Sequence, residues 1–148
     1  MYHKLLVPVD HGELSDRAMR AGLDLARQLG KVSVIGFVVE PLSPGPQVGT
    51  TLAEYARANE EHVARTDAAA RAVLTRFEVL AAEAGVEFHG LHAQSNSIDQ
   101  AIVETARAEG VDMIVMVTHG RGIFGELLFG SHSKAVLAQT DLPVLILR

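Results

Sequence analysis

The sequence predicts a doubly wound α/β domain, with a five-stranded parallel sheet of order 3-2-1-4-5 and helices on both faces. The main observation is that short apolar runs alternate with longer segments of helical periodicity along all 148 residues. Such an alternation indicates parallel strands joined by right-handed crossovers. Apolar residues make up 48% of the chain and aromatic residues only 5%, which is typical of aliphatic packing layers. The length predicts a single domain, residues 1–148.

The first three elements surround the start of the predicted sheet. Lys4–Val9 is a continuous apolar run and predicts a central strand with its carboxyl end at Asp10. Ser15–Leu29 carries small and aliphatic residues on one helical face, and Gly30 follows it as a C-cap. Val32–Val39 predicts a second buried strand.

The middle of the chain predicts a loop, a long helix and an edge strand. Pro41–Gly49 contains three prolines and two glycines, and we interpret it as a mobile loop. Leu52–Ala84 is rich in Ala, Glu and Arg and predicts a helix. Its first half lacks a clear apolar stripe, so a break or fraying is expected before Val63. Val86–Leu91 is a weaker apolar run, expected at the sheet edge.

The last part of the chain repeats the alternation. Asp99–Glu109 predicts a third helix, capped by Gly110, and Met113–Val117 a strand buried on both faces. A glycine-rich loop leads into a helix at Ser131–Gln139, and Val144–Leu147 forms the closing strand.

The loop after Val117 predicts a phosphate site. It contains four glycines, the first Gly120 and the last Gly130, and Ser131 is the expected N-cap of the next helix. Glycines let a ligand approach the backbone closely, and a helix start offers free N–H groups with a partial positive charge. A strand, a glycine-rich loop and a capped helix together favour anion binding.

Two common phosphate motifs fit this loop poorly. Gly120–Gly125 satisfies G-x-G-x-x-G, but that fingerprint expects a helix to open within the glycines, and another glycine follows instead. Gly125-x4-Gly130-Ser131 resembles a truncated P-loop, but His132 stands where the lysine is required.

The predicted sheet order brings two features together. In order 3-2-1-4-5 the switch point lies between the first and fourth strands, and ligands bind outside the carboxyl ends of the strands at such a point. Asp10 ends the first of these strands, and Thr118, His119 and Gly120 end the other. The sequence therefore predicts a ligand crevice between these two strand ends.

The chain resembles the universal stress protein family over nearly its whole length. Gly120, nine residues and Gly130-Ser131 match most of the family's nucleotide loop, G-x2-G-x9-G-[ST], in which Val117 replaces the first glycine. The words K-L-L-V-P-V-D, I-V-M-x-T-H-G-R-G and D-L-P-V-L-I-L look like that family too. The resemblance implies an adenine nucleotide alpha hydrolase-like fold. It also implies binding of ATP, ADP or AMP with Mg²⁺ on the phosphates.

The resemblance also implies which residues hold the nucleotide. Asp10 matches the aspartate at the adenine-ribose end, and Val38 matches a position that lines the base pocket. His119 and Arg121 could add charge to the phosphates, and the residues after Ser131 would present backbone N–H groups. The full predicted set is Pro8, Asp10, Val38, Thr118, His119, Gly120, Arg121, Gly130, Ser131, His132 and Ser133.

The family further implies a homodimer through the apolar closing strand, 144–147, a stress-linked regulatory role and a protein partner that the residues do not identify. Two alternatives remain open. The protein could hydrolyse ATP slowly, with Arg121 or Lys134 as the cation at the transition state. Alternatively, the side chain of Val117 could obstruct the site, which would leave a dimeric interaction protein without nucleotide.

The composition argues against a nucleic-acid-binding protein, a membrane-spanning protein and a protein with disulfides. Lys and Arg total 13 against 18 Asp and Glu, a net charge of −5, whereas a duplex nucleic-acid binder usually shows a basic face. No apolar run approaches the roughly 20 residues that span a bilayer, and the start lacks a signal peptide's layout, so we expect a cytoplasmic protein. The absence of cysteine excludes disulfides and thiolate metal sites.

Neither metal chemistry nor nucleophilic catalysis is predicted. His89 and His92 are three apart on an expected strand and would point to opposite faces. Ser131 lies outside G-x-S-x-G, and no base with an orienting acid is recognisable. Three carboxylates of the third helix are interpreted as solvated charge: Asp99, Glu104 and Glu109.

Overall fold

The structure, a computed structural model, describes residues 2–12, 14–117 and 131–148. Strands and helices alternate throughout these ranges, as the sequence predicts. The strands are β1 Lys4–Pro8, β2 Ser33–Glu40, β3 Phe88–Gln94, β4 Met113–Val117 and β5 Val144–Leu147. The helices are α1 Leu14–Leu29, α2 Leu52–Ala84, α3 Ile98–Ala108 and α4 Ser131–Gln139.

The five strands form one parallel sheet of order β3-β2-β1-β4-β5, which confirms the predicted topology. β1 is the centre of the sheet and pairs with β2 and β4, with Leu6 beside Ile35 on one side and Ile114 on the other. The chain crosses from one half of the sheet to the other between β3 and β4. β1 and β4 are therefore the strands of the switch point, and their carboxyl ends lie side by side.

The core has two layers, one on each face of the sheet. On the α1/α2 face, odd-numbered residues of β1 and β4 pack against α1 and α2, as Val7 and Val115 do. On the α3/α4 face, even-numbered residues of the same strands, such as Leu6 and Ile114, pack against α3 and α4. Side chains alternate between the two faces along a strand. In β1 and β4, an odd or even residue number therefore indicates the layer to which a side chain belongs.

The predicted break in α2 before Val63 is wrong, because α2 is one continuous helix of 33 residues. A capping box closes its start: the Thr51 hydroxyl accepts a hydrogen bond from the backbone N–H of Glu54, and the Glu54 carboxylate accepts one from the N–H of Thr51. Gly85 ends it in the left-handed conformation, with φ of 69°.

The β2–α2 loop contacts the first half of α2. The ring of His62 is hydrogen-bonded to the carbonyl oxygen of Pro41, with 2.8 Å between Nε2 and the oxygen. Loop residues 43–47 and Thr50 line an open pocket of about 300 Å³ together with Tyr55 and Arg65. Most of the first half of α2 is exposed to solvent, which explains why it lacks a clear apolar stripe.

The remaining boundaries shift by a few residues. β3 begins two residues later than predicted, at Phe88, and runs on to Gln94, but it lies at the sheet edge as expected. β1 ends at Pro8 and α3 begins at Ile98. Within the described part of the chain, no helix has the length and apolar character needed to cross a membrane.

Candidate functional site

The candidate site is the crevice at the carboxyl ends of β1 and β4. β1 leads into α1, which packs on the α1/α2 face through Met19 and Leu23. α4 packs on the opposite face, where Val136 lies in one cluster with Ile102 of α3. The helices that follow two neighbouring strands therefore pack on opposite faces, and the switch-point rule places a ligand crevice between the two strand ends.

A tight turn after β1 fixes Asp10 at one side of this crevice. The Oδ1 atom of Asp10 accepts a hydrogen bond from the N–H of Gly12 at 2.7 Å. The hydroxyl of Ser15 lies 2.8 Å from the backbone nitrogen of Asp10 and 3.0 Å from Oδ1. Ser15 is buried, whereas Asp10 is exposed. Among the described residues no donor contacts Oδ2, so this charged oxygen can accept a hydrogen bond from a ligand.

Pro8 and Val38 occupy different environments. Pro8 pairs with Phe37 across the β1–β2 ladder and is half-buried near the strand end. Val38 is completely buried and belongs to the core cluster of the α1/α2 face. In this structure Val38 is therefore a core residue beneath the site.

A second carboxylate contacts His11, the residue after Asp10, which the sequence did not indicate. Glu40, the last residue of β2, is only 7% exposed, and its Oε1 lies 2.7 Å from Nε2 of His11. His11 and Glu40 are 29 positions apart in sequence, and the pairing of β1 with β2 brings them together. In the sequence, the available sign of this contact was that His11 directly follows Asp10. The contact joins the end of β2 to the turn after β1.

The other side of the crevice is the start of α4. This helix begins at Ser131, as predicted, and Ser133 in its first turn is 2% exposed. The first-turn N–H groups of any helix lack intrahelical acceptors, so this end is suited to an anion. The remaining predicted site residues, Thr118, His119, Gly120, Arg121 and Gly130, lie outside the described residues.

His132 makes a contact that the sequence analysis missed. Its Nδ1 lies 2.6 Å from Oδ1 of Asp99, at the start of α3. Asp99 was interpreted as solvated charge. That interpretation is wrong, because its side chain is only 24% exposed and is bonded to the ring. Residues 33 positions apart give no local signal for such a pair.

Val117 is the last residue of β4, pairs with Leu147 and is half-buried. It packs against the core cluster of the α1/α2 face. α4 packs on the opposite face of the sheet, so the valine side chain points away from the layer that carries the start of α4. The methyl groups that valine has and glycine lacks therefore extend the core layer of the α1/α2 face.

The opposite ends of β1 and β4 are held together by Asp112. Its Oδ2 accepts hydrogen bonds from the backbone N–H groups of His3 at 2.7 Å and Lys4 at 2.8 Å. The bond from His3, followed by the one from Lys4, holds the pKa of Asp112 below its ordinary value of 3.8 against the opposing effect of burial. This clamp fixes the relative position of the two strands that form the crevice.

The described residues hold no cluster of three or more histidine, aspartate or glutamate side chains arranged for a metal ion. His89 and His92 each contact a separate carboxylate: Nε2 of His89 lies 3.3 Å from Glu87, and Nδ1 of His92 lies 3.7 Å from Asp67.

Comparison with known proteins agrees with the fold. The sequence model described as "Universal stress protein family" matches residues 1–148. Universal stress protein YxiE of Bacillus subtilis is 26% identical over 149 residues, which cover 100% of both chains.

Two solved structures carry nucleotides. A universal stress protein solved in complex with cAMP superposes with a TM-score of 0.68 at 23% identity, over 99% of this chain and 97% of that one. The universal stress protein from Archaeoglobus fulgidus in complex with dAMP gives a TM-score of 0.64 at 20% identity, over 99% and 98% of the chains.

Proposed function

The chain belongs to the universal stress protein family, and on this premise we propose that it binds ATP or a related adenine nucleotide in the crevice between β1 and β4. The observation that carries the proposal is the pairing of two features across the switch point. The Asp10 carboxylate is held in a turn on one side, and the start of α4 stands on the other. The cAMP and dAMP complexes of two relatives with this fold support an adenine nucleotide as the ligand class.

The ribose and the phosphates of the nucleotide would contact different groups of the protein. Oδ2 of Asp10 accepts hydrogen bonds from the ribose hydroxyls, because a carboxylate accepts and a hydroxyl donates. Backbone N–H groups at Ser131, His132 and Ser133 bind the phosphates, together with the glycine loop that includes Gly130. Mg²⁺ would bind as part of the ligand, coordinated by the nucleotide phosphates.

The packing of Val117 supports this function. A β-branched side chain in place of glycine would exclude ligand if it pointed toward the phosphates. Instead, Val117 packs on the α1/α2 face, away from α4. This arrangement supports a nucleotide-binding protein over a member that has lost its ligand.

The proposed output is regulation of a stress response in the cytoplasm by a single-domain protein that acts through a protein partner. A homodimer through β5 is part of the proposal. Among the described strands β5 lies at the edge of the sheet beside β4, and its four residues, Val144–Leu147, are all partly exposed. An apolar edge with free backbone groups favours pairing with a second copy. Sedimentation at micromolar concentration should give the dimer mass, and a monomer throughout would contradict this part.

Thermal unfolding of nucleotide-stripped protein tests the function. Mg-ATP at a hundred times its dissociation constant should add about 2.7 kcal/mol, a rise in melting temperature of about 5–10 °C at this size. ADP, AMP, cAMP and GTP would rank the ligands. The Mg-ATP shift should shrink in Asp10→Ala and persist in Asp24→Ala, a change on the exposed surface of α1. Absence of a shift with every nucleotide at millimolar concentration would contradict the proposal.

A further inference from the structure

The first half of α2 extends beyond the packed core. The first buried residue of this helix is Thr66, so residues 52–65 contribute no core side chain. Thr66 accepts a hydrogen bond from Gln94 at the end of β3, and His62 contacts Pro41, the residue after β2. The helix before His62 therefore lies beyond the carboxyl edge of the sheet, over roughly 15 Å at 1.5 Å per residue.

The loop between β2 and α2 is tied down at both ends. At its start, the ring of His62 is hydrogen-bonded to the carbonyl oxygen of Pro41, and the N–H of Leu42 donates to Oδ1 of Asn96 at 3.1 Å. At its end, Thr51 forms the capping box that begins α2. These contacts hold the loop beside the helix, so the walls of the pocket between them exist before a ligand binds.

The pocket between this loop and the helix has a volume of about 300 Å³. The helix supplies one wall through residues spaced three, four and three positions apart, which lie on one side of a helix. They are Tyr55, Ala58, His62 and Arg65. Loop residues 43–47, which include two prolines, supply the other wall together with Thr50.

Arg65 gives the pocket a positive charge. No aspartate or glutamate is among the described residues that line it. The ion pairs formed within the described ranges do not include Arg65 either. A guanidinium binds a carboxylate through a planar fork of N–H donors. The ring of Tyr55 and the proline rings of the loop add flat apolar surface, which suits an aromatic ring.

We propose that this pocket binds a small aromatic carboxylate, with Arg65 on the carboxylate and Tyr55 and the loop prolines around the ring. Its volume is at the lower end of the range for ligand pockets, about 300–1,000 Å³, and suits a ligand with a single ring. Asp10 and the described start of α4 are not among its lining residues. The inference is therefore independent of the proposed nucleotide binding.

Phenylacetate is the probe, because it joins one aromatic ring to one carboxylate. The chain has two tyrosines and no tryptophan, so in the Tyr2→Phe protein all tyrosine fluorescence comes from Tyr55. Titration of this protein should change the fluorescence with a dissociation constant in the millimolar range, as expected for a ligand of this size. Phenylacetamide has nearly the same shape without the charge and should bind about tenfold more weakly. No change of fluorescence with phenylacetate, together with unshifted amide NMR signals of the pocket, would overturn the inference.

Arg65→Gln tests the charge contact in the same Tyr2→Phe protein. Phenylacetate should bind about tenfold more weakly, and the affinity for phenylacetamide should stay unchanged, so that the two probes bind alike. Arg57→Gln is the control, because Arg57 is exposed on the same half of α2 and does not line the pocket. Equal losses of phenylacetate affinity in the two variants would reduce the effect to general surface charge and overturn the inference.

Ala58→Leu tests the pocket itself. Leucine is nearly as good a helix former as alanine, and its larger side chain would take up space that the ring of the ligand needs. Both probes should lose binding, while the melting temperature stays close to the native value. Unchanged phenylacetate binding in this variant would show that the probe lies elsewhere.

Two further measurements separate this pocket from other anion sites. Acetate carries the charge without the ring and should bind at least about tenfold more weakly than phenylacetate, since it buries no ring. An equal affinity would reveal a simple ionic contact and overturn the inference. Asp10→Ala should bind phenylacetate as the native residue does. A loss there would assign the probe to the β1–β4 crevice, whereas a failure of native protein to bind nucleotide would leave the pocket proposal standing.

Discussion

The hydroxyl of Ser15 lies 2.8 Å from the backbone nitrogen of Asp10 and 2.7 Å from its carbonyl oxygen. One buried side chain therefore ties the first turn of α1 to the carboxyl end of β1. The single hydroxyl hydrogen can serve either the carbonyl or the carboxylate of Asp10, while the hydroxyl oxygen accepts from its N–H. This link sets the direction of Asp10 at the crevice.

Ser15→Ala should lower both stability and nucleotide affinity. The N–H of Asp10 would lose its acceptor in a partly buried turn, which costs about 1–3 kcal/mol of unfolding free energy. Urea unfolding measures this loss, and calorimetry measures the affinity. Ser33→Ala is the control, since its hydroxyl makes only a 3.3 Å bond to the carbonyl of His3 on the surface. Equal losses in the two variants would contradict the role of Ser15.

Gly36→Ala should destabilise the protein by overpacking. A Cβ atom at this position in β2 would lie 2.7 Å from Cδ2 of Phe77 and 2.8 Å from Cε2 of Phe88. The two rings form a tilted pair with centroids 4.6 Å apart, and Phe77 is completely buried in the core, so the new Cβ would have to displace packed side chains. We expect a loss of about 1–3 kcal/mol in urea unfolding.

The matched control is Gly45→Ala. A Cβ atom there meets nothing within 4 Å, so stability should stay within about 0.5 kcal/mol of the native value. A Gly36→Ala protein as stable as this control would show that the two rings can move apart.

Asp112 should make stability depend on pH at the acid end. Its pKa is lower in the folded chain than the ordinary value of 3.8, so its contribution to stability is fully present above pH 3.8. That contribution is lost as the pH falls through the lowered pKa. Asp112→Asn should therefore be less stable than native protein at pH 7, with a difference that closes below pH 3.8.

Urea unfolding between pH 7 and pH 3 checks this dependence. Asp24→Asn, whose carboxylate is 66% exposed, should give no such difference. A constant gap between native protein and Asp112→Asn across the pH range would contradict the clamp.

Val117→Gly should change stability more than ligand affinity. The valine packs on the α1/α2 face, so glycine would lose buried contacts and weaken the end of β4, at a cost of about 1–2 kcal/mol. The dissociation constant for Mg-ATP should stay within about threefold of the native value. A large gain in affinity would mean that the valine obstructs the ligand after all.

The sheet could be predicted from the sequence because each strand is a short apolar run and each helix keeps its period. The alternation predicts a parallel sheet but not its strand order, since several doubly wound orders share it. The order 3-2-1-4-5, which places Asp10 at the switch point, agrees with the family resemblance and is confirmed by the structure. The continuity of α2 was missed, although Thr51 and Glu54 carry the capping-box signature. The contact of His62 with the carbonyl oxygen of Pro41, which ties this half of the helix to the preceding loop, had no signal in the sequence.

The site was only partly predictable, because its polar pairs depend on the tertiary structure. His11 meets Glu40 across two strands, and His132 meets Asp99 across two helices. Each residue alone resembles an ordinary surface group. The direction of the Val117 side chain likewise needed the layers to be known. The role of the loop 118–130 remains a prediction from its sequence.

The most direct measurement of the central claim is a calorimetric titration of nucleotide-stripped protein with Mg-ATP. The native chain should bind one nucleotide per protomer with a dissociation constant below 1 mM, worth about 4 kcal/mol or more. Gly130→Val should weaken binding by at least about tenfold, or about 1.4 kcal/mol, whereas Gly45→Val should leave it unchanged. No binding heat from native protein, confirmed by an unchanged melting temperature, or equal affinity in the Gly130→Val protein, would contradict nucleotide binding at this crevice.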